Sequence, residues 1–581
     1  MSLADFRRTL RTVRHLRWSQ IAWGLRYRWR RRRPPVLPVV PSSLRVRDDR
    51  PRVPVLPSRH DEDDARFVSD MARGVFSHLG ERVELGRENP DWRLGDRARD
   101  RLWTVTLHYH HWALRLATIA AGSDELADRA AELLHDYLAD WIERCPLTEP
   151  GSRALVWNSY AIATRIVVWG QLDHALTQRR RADWGDLRVA MHRILWQQAA
   201  FLRANLEYDL RGNHLLRDAV GLAAAGSFFD GEEAREWYQA GIDLGLAQVR
   251  EQVLLDGGHF ERSPMYHLHA MEDVLALACL SGEGAAREEF AQTWRRMADV
   301  AEWLRHPDGD IPLFNDAAVN GSCHPQDMLD QGATSLGFAP ASEWPRGSRH
   351  FPDFGMVVGD GDRFRVFFDV GAVGPDYQPG HAHADTLSLE CSFDGRRVFV
   401  DPGTFHYDEG PTRAYDRSTA AHNTVCVDAH DSSEAWHIFR LGRRARPSAV
   451  AFESTNGLRS SARHDGYAWL PGAPIHVREV VLQESGPLIV TDHIEGGSEH
   501  DLSGGFLLAP EWRVQEQRTG GWAIRCERAV LEIEVVGPDG LRLGVESRDY
   551  HPGFGQRFEC ERLTWRFRGA LPVEIRTTIR G

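Results

Sequence analysis

The chain has 581 residues, a formal charge of −12 and 42% apolar residues. That is more than one hydrophobic core can serve, so two to four domains are expected. No apolar run reaches the roughly 20 residues of a membrane span, and the net acidity argues against general nucleic-acid binding. All 71 basic residues are arginines, which excludes lysine Schiff-base chemistry and a P-loop lysine. The seven cysteines are scattered, odd in number and form no Cys-x-x-Cys pair, which fits buried free thiols better than a disulfide framework.

Residues 1–33 are strongly basic and carry Leu3, Phe6, Leu10 and Val13, then Trp18, Ile21, Trp23 and Leu25. The stretch is too arginine-rich for a secretory signal with an apolar centre. It reads either as an amphipathic helix on an anionic membrane surface or as a helix docked on its own protein. The missing export signal implies a cytoplasmic or membrane-peripheral location. Prolines at 34, 35, 38, 41, 51, 54 and 57 predict an extended linker that completes a first unit, 1–61.

From 62 to 346 the apolar residues recur at helical spacing. The segments Leu126 to Ile142, Leu155 to Trp169, Ala190 to Leu206, Leu215 to Phe229, Ala234 to Leu255 and Phe290 to Leu304 are examples. Short Gly, Pro, Asp or Asn breaks separate them, so paired antiparallel helices are expected. Two polar clusters interrupt this domain. Gly212-Asn213-His214 stands where a helix begins, with Asn213 as a plausible N-cap. The run from Asp256 to His267 contains His259, Glu261, Arg262 and Tyr266, and leads into a helix near Pro264.

From 347 to 581 the period changes to two. Many short strands, among them Thr386 to Phe393 and Ile475 to Leu482, predict a large antiparallel sandwich. A cleft between the two domains is the natural ligand site.

Within the second domain, Gly380-His381-Ala382-His383-Ala384-Asp385 alternates ionisable groups with alanines. On an extended strand these project from one face, and they are costly to desolvate unless a metal, partner or substrate uses them. His383, Asp401 and His422 make a mixed N/O set typical of zinc. No hydrolytic zinc pattern stands nearby, so a structural zinc that fastens strands is expected. His381 is placed to act as a base or to neutralise an anion.

Together these motifs resemble the heparinase II/III family of polysaccharide lyases, related in architecture to the two-domain alginate lyases. The resemblance rests on Trp157, Tyr160 and Arg165, on Gly-Asn213-His214-Leu-Leu, and on Asp-Gly-Gly-His-Phe-Glu-Arg-Ser-Pro-Met-Tyr266-His. It continues through Phe314-Asn315-Asp316, the His381/His383 motif, Asp401-Pro-Gly-Thr and Arg417-Ser-Thr-Ala-Ala-His422-Asn-Thr-Val. It implies an incomplete (α/α) toroid followed by an antiparallel β-sandwich, a groove between them, and zinc at His383, Asp401 and His422. It also implies Asn213 and His214 at the carboxylate of a uronic acid, Tyr266 as catalytic tyrosine and His381 as second proton-transfer or neutralising group. A further tyrosine falls to Tyr407 or Tyr415. Trp157, Tyr160, Arg165, His259, Glu261, Arg262, His267 and Asn315 are the expected substrate-binding residues, with Arg262 and the histidines lowering the phenol's pKa.

The reaction implied is β-elimination on an acidic polysaccharide, with a self-made exopolysaccharide as a candidate because the start of the chain differs from secreted degradative lyases. Relatives acting in the cell envelope make the periplasm an alternative location. Two rival readings stand beside it. One is a glycoside hydrolase using two of Asp256, Glu261 and Asp316; the other is a non-catalytic factor of capsule or exopolysaccharide assembly.

Overall fold

The computed structural model describes residues 3–581 apart from 34, 55, 57, 58, 60–62, 95–100, 150, 151, 179–183 and 340–343. The predicted boundary at 61/62 and the prolines at 34 and 57 lie outside the described residues.

The first half is an open ring of antiparallel helices. Its central member, Gly212–Phe228, is buried almost all round, because leucine, alanine and glycine occupy every face. It packs against Ser159–Gln178, Trp184–Ala204, Glu232–Gln252 and Pro264–Leu280. The contact with Glu232–Gln252 is backbone to backbone. A Cβ at Gly241 would come within 2.4 Å of the Ala223 amide nitrogen, so this crossing tolerates no side chain. One feature of this half departs from the helical expectation: Val75–His78 and Glu81–Glu84 form a small antiparallel hairpin. Its turn, Leu79-Gly80, has both residues in the left-handed region.

The strands of the second half begin at Ser348. A five-stranded antiparallel meander runs in chain order from Ser348–Phe351 to Arg396–Phe399. The hydrogen bonds from Val400 to Leu507 and from Ala509 to Val398 join it to a four-stranded sheet containing Glu499–Leu507 and Phe558–Ala570. An eight-stranded sheet packs across both. Its strand Ile475–Gln483 alternates buried and half-buried residues with period two, and the buried face includes Val480 and Leu482. The incomplete helical toroid followed by a β-sandwich is therefore the observed architecture.

Two local expectations fail. Gly380 to Ser388 is not strand but a chain of turns that feeds Leu389–Phe393. Its backbone partners are not a neighbouring strand: the His383 amide donates to the Asn315 side chain at 2.9 Å, and the Ala384 amide to the Arg417 carbonyl. Leu387 is left-handed at φ 64°, which stops any extended run there. The proline-rich segment is likewise no free spacer. Val53 and Leu56 are buried, Gln197 donates to the Pro38 carbonyl at 3.2 Å, and Val46 bridges Phe229. The helices Leu3–Val13 and Trp18–Arg31 rest on the body, which is the docked arrangement. All seven cysteines are unpaired.

Candidate active site and metal centre

A groove of about 1270 Å³ runs between toroid and sandwich, with Tyr160, Asn213, His214, Tyr266, His381 and Tyr407 among its lining residues. Each arrives by a definite route. Arg211 and Gly212 are left-handed at φ 64° and 57°, and this kink starts the helix that carries Asn213 and His214. A Cβ at Gly212 would fall 2.2 Å from a Glu261 carboxylate oxygen, so glycine is required there. Asn213 is therefore not the N-cap, which is Arg211. Its backbone and side-chain N–H groups both donate to Glu261, at 3.1 and 2.8 Å. Tyr266 lies in the first turn of Pro264–Leu280, capped by Ser263.

These residues converge. The Tyr266 ring stacks on His381 with centroids 3.7 Å apart, and its hydroxyl meets that of Tyr407 at 3.1 Å. The Asn213 amide faces His381 Nε2 at 3.4 Å. His214 pairs with Glu207 at 3.1 Å, beside the Tyr160 ring. Behind this row stands Asp316, fully buried. It takes Nδ1 of His381 at 2.9 Å, Nε2 of His383 at 2.8 Å, and both guanidinium arms of Arg413.

Charge follows from these contacts. Burial would raise the Asp316 pKa, but Arg413 and the two histidines hold it well below the usual carboxylate range. Burial pushes both Tyr266 and Tyr407 well above the ordinary phenol value; Tyr407 and Asp316 add to the rise at Tyr266, while at Tyr407 Asp316 adds to it and Arg413 and the Tyr266 hydrogen bond oppose it. The expectation of a depressed Tyr266 pKa is thus overturned, and the phenol rests as O–H. Burial opposes charging of His214, yet Glu207, Glu261 and Asp209 outweigh it and raise its pKa.

Several expected substrate contacts are structural instead. Arg165 is buried and donates to the carbonyls of His108 and Val156 and to Gln198. Arg262 turns away to the carbonyls of Asp353 and Phe354, fastening the toroid to the sandwich. His259 bonds Gln252, and His267 joins the His259 amide to the Met297 carbonyl; a polar loop so deeply buried must satisfy itself internally. The Trp157 indole bonds the Cys145 carbonyl although its ring borders the groove. Asn315 supports His383 from behind, and Glu261 supports Asn213. Tyr415 donates to the Asp549 carbonyl, so Tyr407 alone of the two faces Tyr266.

Arg413 and Glu207 were not among the expected site residues, and Asp316 was expected only as a carboxylate of the hydrolase reading. Asp316 stands in the Phe314-Asn315-Asp316 motif, but nothing in one-dimensional spacing ties it to His381. Arg413, on the short helix Pro411–Asp416, gives no sequence signal at all.

His383, Asp401 and His422 bring one ligand atom each to within 4.8 Å of one another, all buried. Nδ1 of His383 and Nε2 of His422 have no hydrogen-bond partner despite burial. Such orphaned imidazole nitrogens beside a carboxylate fit a divalent ion. The opposite nitrogen of His383 is held by Asp316, as an outer partner orients a metal ligand.

Comparisons with known proteins bear on the family and the fold. Residues 67–336 match the model for the heparinase II/III N-terminus, and residues 344–578 match that for the heparinase II/III-like C-terminal domain. A heparin-sulfate lyase of Bacteroides stercoris is 25% identical over 544 residues, 84% of this chain and 76% of that protein. FtsZ-localized protein C of Caulobacter vibrioides is 23% identical over 537 residues, 85% of this chain and 84% of that one. The crystal structure of heparinase III superposes with a TM-score of 0.74 at 17% identity, covering 96% of this chain and 89% of that one. The chain belongs to the heparinase II/III family of polysaccharide lyases.

Proposed function

We propose that the groove splits a uronic-acid-containing polysaccharide by β-elimination, and that a self-made exopolysaccharide is the polymer. The convergence of Asn213, Tyr266, His381 and Tyr407 on one stretch of the groove carries this reading. Elimination removes the proton at C5, forms the C4–C5 double bond and expels the oxygen at C4, which takes up a proton. The C5 proton becomes acidic only when the neighbouring carboxylate is neutralised, because negative charge then spreads into it. Asn213 as donor and His214 as a cation provide that neutralisation. Asp316 holds Nδ1 of His381, which assigns the proton to that nitrogen and makes Nε2, which the Asn213 amide faces at 3.4 Å, the acceptor. In this scheme His381 takes the C5 proton. The neutral Tyr266, paired with Tyr407, supplies a proton to the leaving oxygen.

The hydrolase alternative has no free pair of carboxylates. Glu261 is bound to Asn213, Asp256 to the amides of Asp353 and Phe354, and Asp316 to Arg413. We further propose that His383, Asp401 and His422 hold a structural zinc, whose chemistry there is to fasten three loops. We also place a peripheral contact with an anionic membrane at the N-terminal helices. Phe6, Leu10, Leu25 and Trp29 are exposed, Trp18 by 85%, among eleven arginines in residues 1–33, a pattern suited to an interfacial surface.

Tyr266→Phe should fold normally and bind polymer while forming the ultraviolet-absorbing unsaturated product more slowly, with a loss on the order of 10²–10⁴ in rate. Retained activity would remove the phenol from the scheme. The His214 charge is present below its raised pKa and lost as pH rises through it. Glu207→Gln, which removes the main raising influence, should therefore move the alkaline limb of kcat/KM to lower pH; an unmoved limb assigns that limb to another group. His383→Ala should lower the zinc content of the purified protein and its Tm together, and unchanged metal content would reject the ligand set. Trp18→Ser with Trp29→Ser should weaken sedimentation with vesicles containing anionic lipid, while equal sedimentation would reject membrane contact through this face.

A further inference from the structure

The N-terminal segment touches both halves of the groove, and its second helix makes contacts to the two loops that carry the site. Helix Leu3–Val13 is fixed to the sandwich. Arg11 forms a fork with Glu434 at 2.8 and 2.6 Å. The Thr12 hydroxyl donates to the Leu441 carbonyl at 3.2 Å and accepts from the Trp436 indole at 3.1 Å.

Helix Trp18–Arg31 lies instead on the toroid, at the segment that ends in Arg211 and Gly212. Tyr27 donates to the Leu206 carbonyl, Arg30 to that of Ala204, and Gln20 to that of Asp209 at 3.3 Å. Trp23 stacks on Tyr208 with centroids 5.0 Å apart. This segment runs through the left-handed pair directly into Asn213 and His214. The same Gln20 amide nitrogen donates to the Tyr377 carbonyl at 3.2 Å, four residues before His381. Gln20 is only 5% exposed. A primary amide has two N–H groups, and here one serves each loop.

A charged knot surrounds this bridge. Glu251 takes Arg17 at 2.7 Å, Arg211 at 2.6 Å and the Tyr377 hydroxyl at 2.6 Å, and the Arg17 guanidinium covers the Tyr377 ring at 3.8 Å. Thr9, Thr12, Leu16, Gln20, Tyr27 and Arg30 also line the groove that holds Tyr266 and His381. The strap is thus a wall of the site as well as a tie between its halves.

We infer that residues 9–31 form an intramolecular clamp that sets the spacing between the Asn213/His214 loop and the His381 loop, with Gln20 as the positioning residue. The His381 loop and residues 205–211, which lead into the helix bearing Asn213 and His214, are not regular structure, so outside contacts help to fix them. The two loops belong to different domains, whose relative movement is limited by what bridges them, and the strap adds a bridge to those made by Asp316 and Arg262. The kinetic consequence rests on the elimination reading, whereas the structural one does not.

The test uses the full-length protein with Gln20→Ala and the isosteric Gln20→Glu, which presents acceptors to two carbonyls. Hydrogen–deuterium exchange should quicken across 205–214 and 377–383 in both variants, with an unchanged Tm. On uronate polymer, kcat should fall about 10–100-fold with KM nearly constant, as expected when reacting groups are misplaced by about 1 Å. Unaltered exchange in those two segments would overturn the clamp whatever the enzyme cleaves. Quickened exchange in a protein whose wild type cleaves no uronate polymer would support the clamp and reject the elimination reading. Should Gln20→Ala fail to fold, Arg17→Gln carries the same measurement, since Arg17 is part of the knot and its side chain is 44% exposed.

Discussion

The buried carboxylate of Asp316 is the constraint on which this site depends. It lies fully inside the protein yet stays ionised, because Arg413 grips it with both arms and two imidazoles donate to it. Removing one partner of a buried pair like this leaves an uncompensated charge and costs roughly 3–5 kcal/mol. The four groups are therefore held as one unit. Through His381 that unit faces the groove, and through His383 it faces the buried His383/Asp401/His422 group. One carboxylate thereby fixes the ring orientation of both imidazoles, the one proposed to move a proton and the one proposed to bind an ion.

This arrangement also explains why the histidines and tyrosines take different parts. Asp316 assigns the tautomer of His381 without needing to titrate. The same negative charge, together with burial, keeps Tyr266 and Tyr407 protonated. Arg262, the cation expected to lower the phenol's pKa, is instead used to tie the toroid to the sandwich. The phenol is consequently suited to giving a proton, and the imidazole to accepting one.

The groove lies between two independently built domains, so its width is a tertiary property. Short contacts cross it, among them Asn213 to His381, Tyr266 to Tyr407, and the N-terminal strap through Gln20. Arginine suits the strap because its planar fork satisfies carboxylates and also lies flat on rings. Arg11 on Glu434 shows the first use, and Arg17 over Tyr377 the second.

Sequence alone determined the two-domain order, since periods of 3.6 and two are local properties of the chain. It also picked out Asn213, Tyr266, His381 and the His383/Asp401/His422 set, whose residue types are uncommon in combination. What it could not assign was the use of each polar group. Arg165, His259 and His267 looked like ligand contacts, but burial turned them to backbone carbonyls and neighbouring side chains, because a buried donor must be satisfied wherever it lands. The choice of Tyr407 over Tyr415 came from the fold of one short loop, and Asp316 and Arg413 met only because loops 97 residues apart in the chain pack together. Periodicity and chemistry are written along the chain; which groups share a hydrogen bond is decided by close packing in three dimensions.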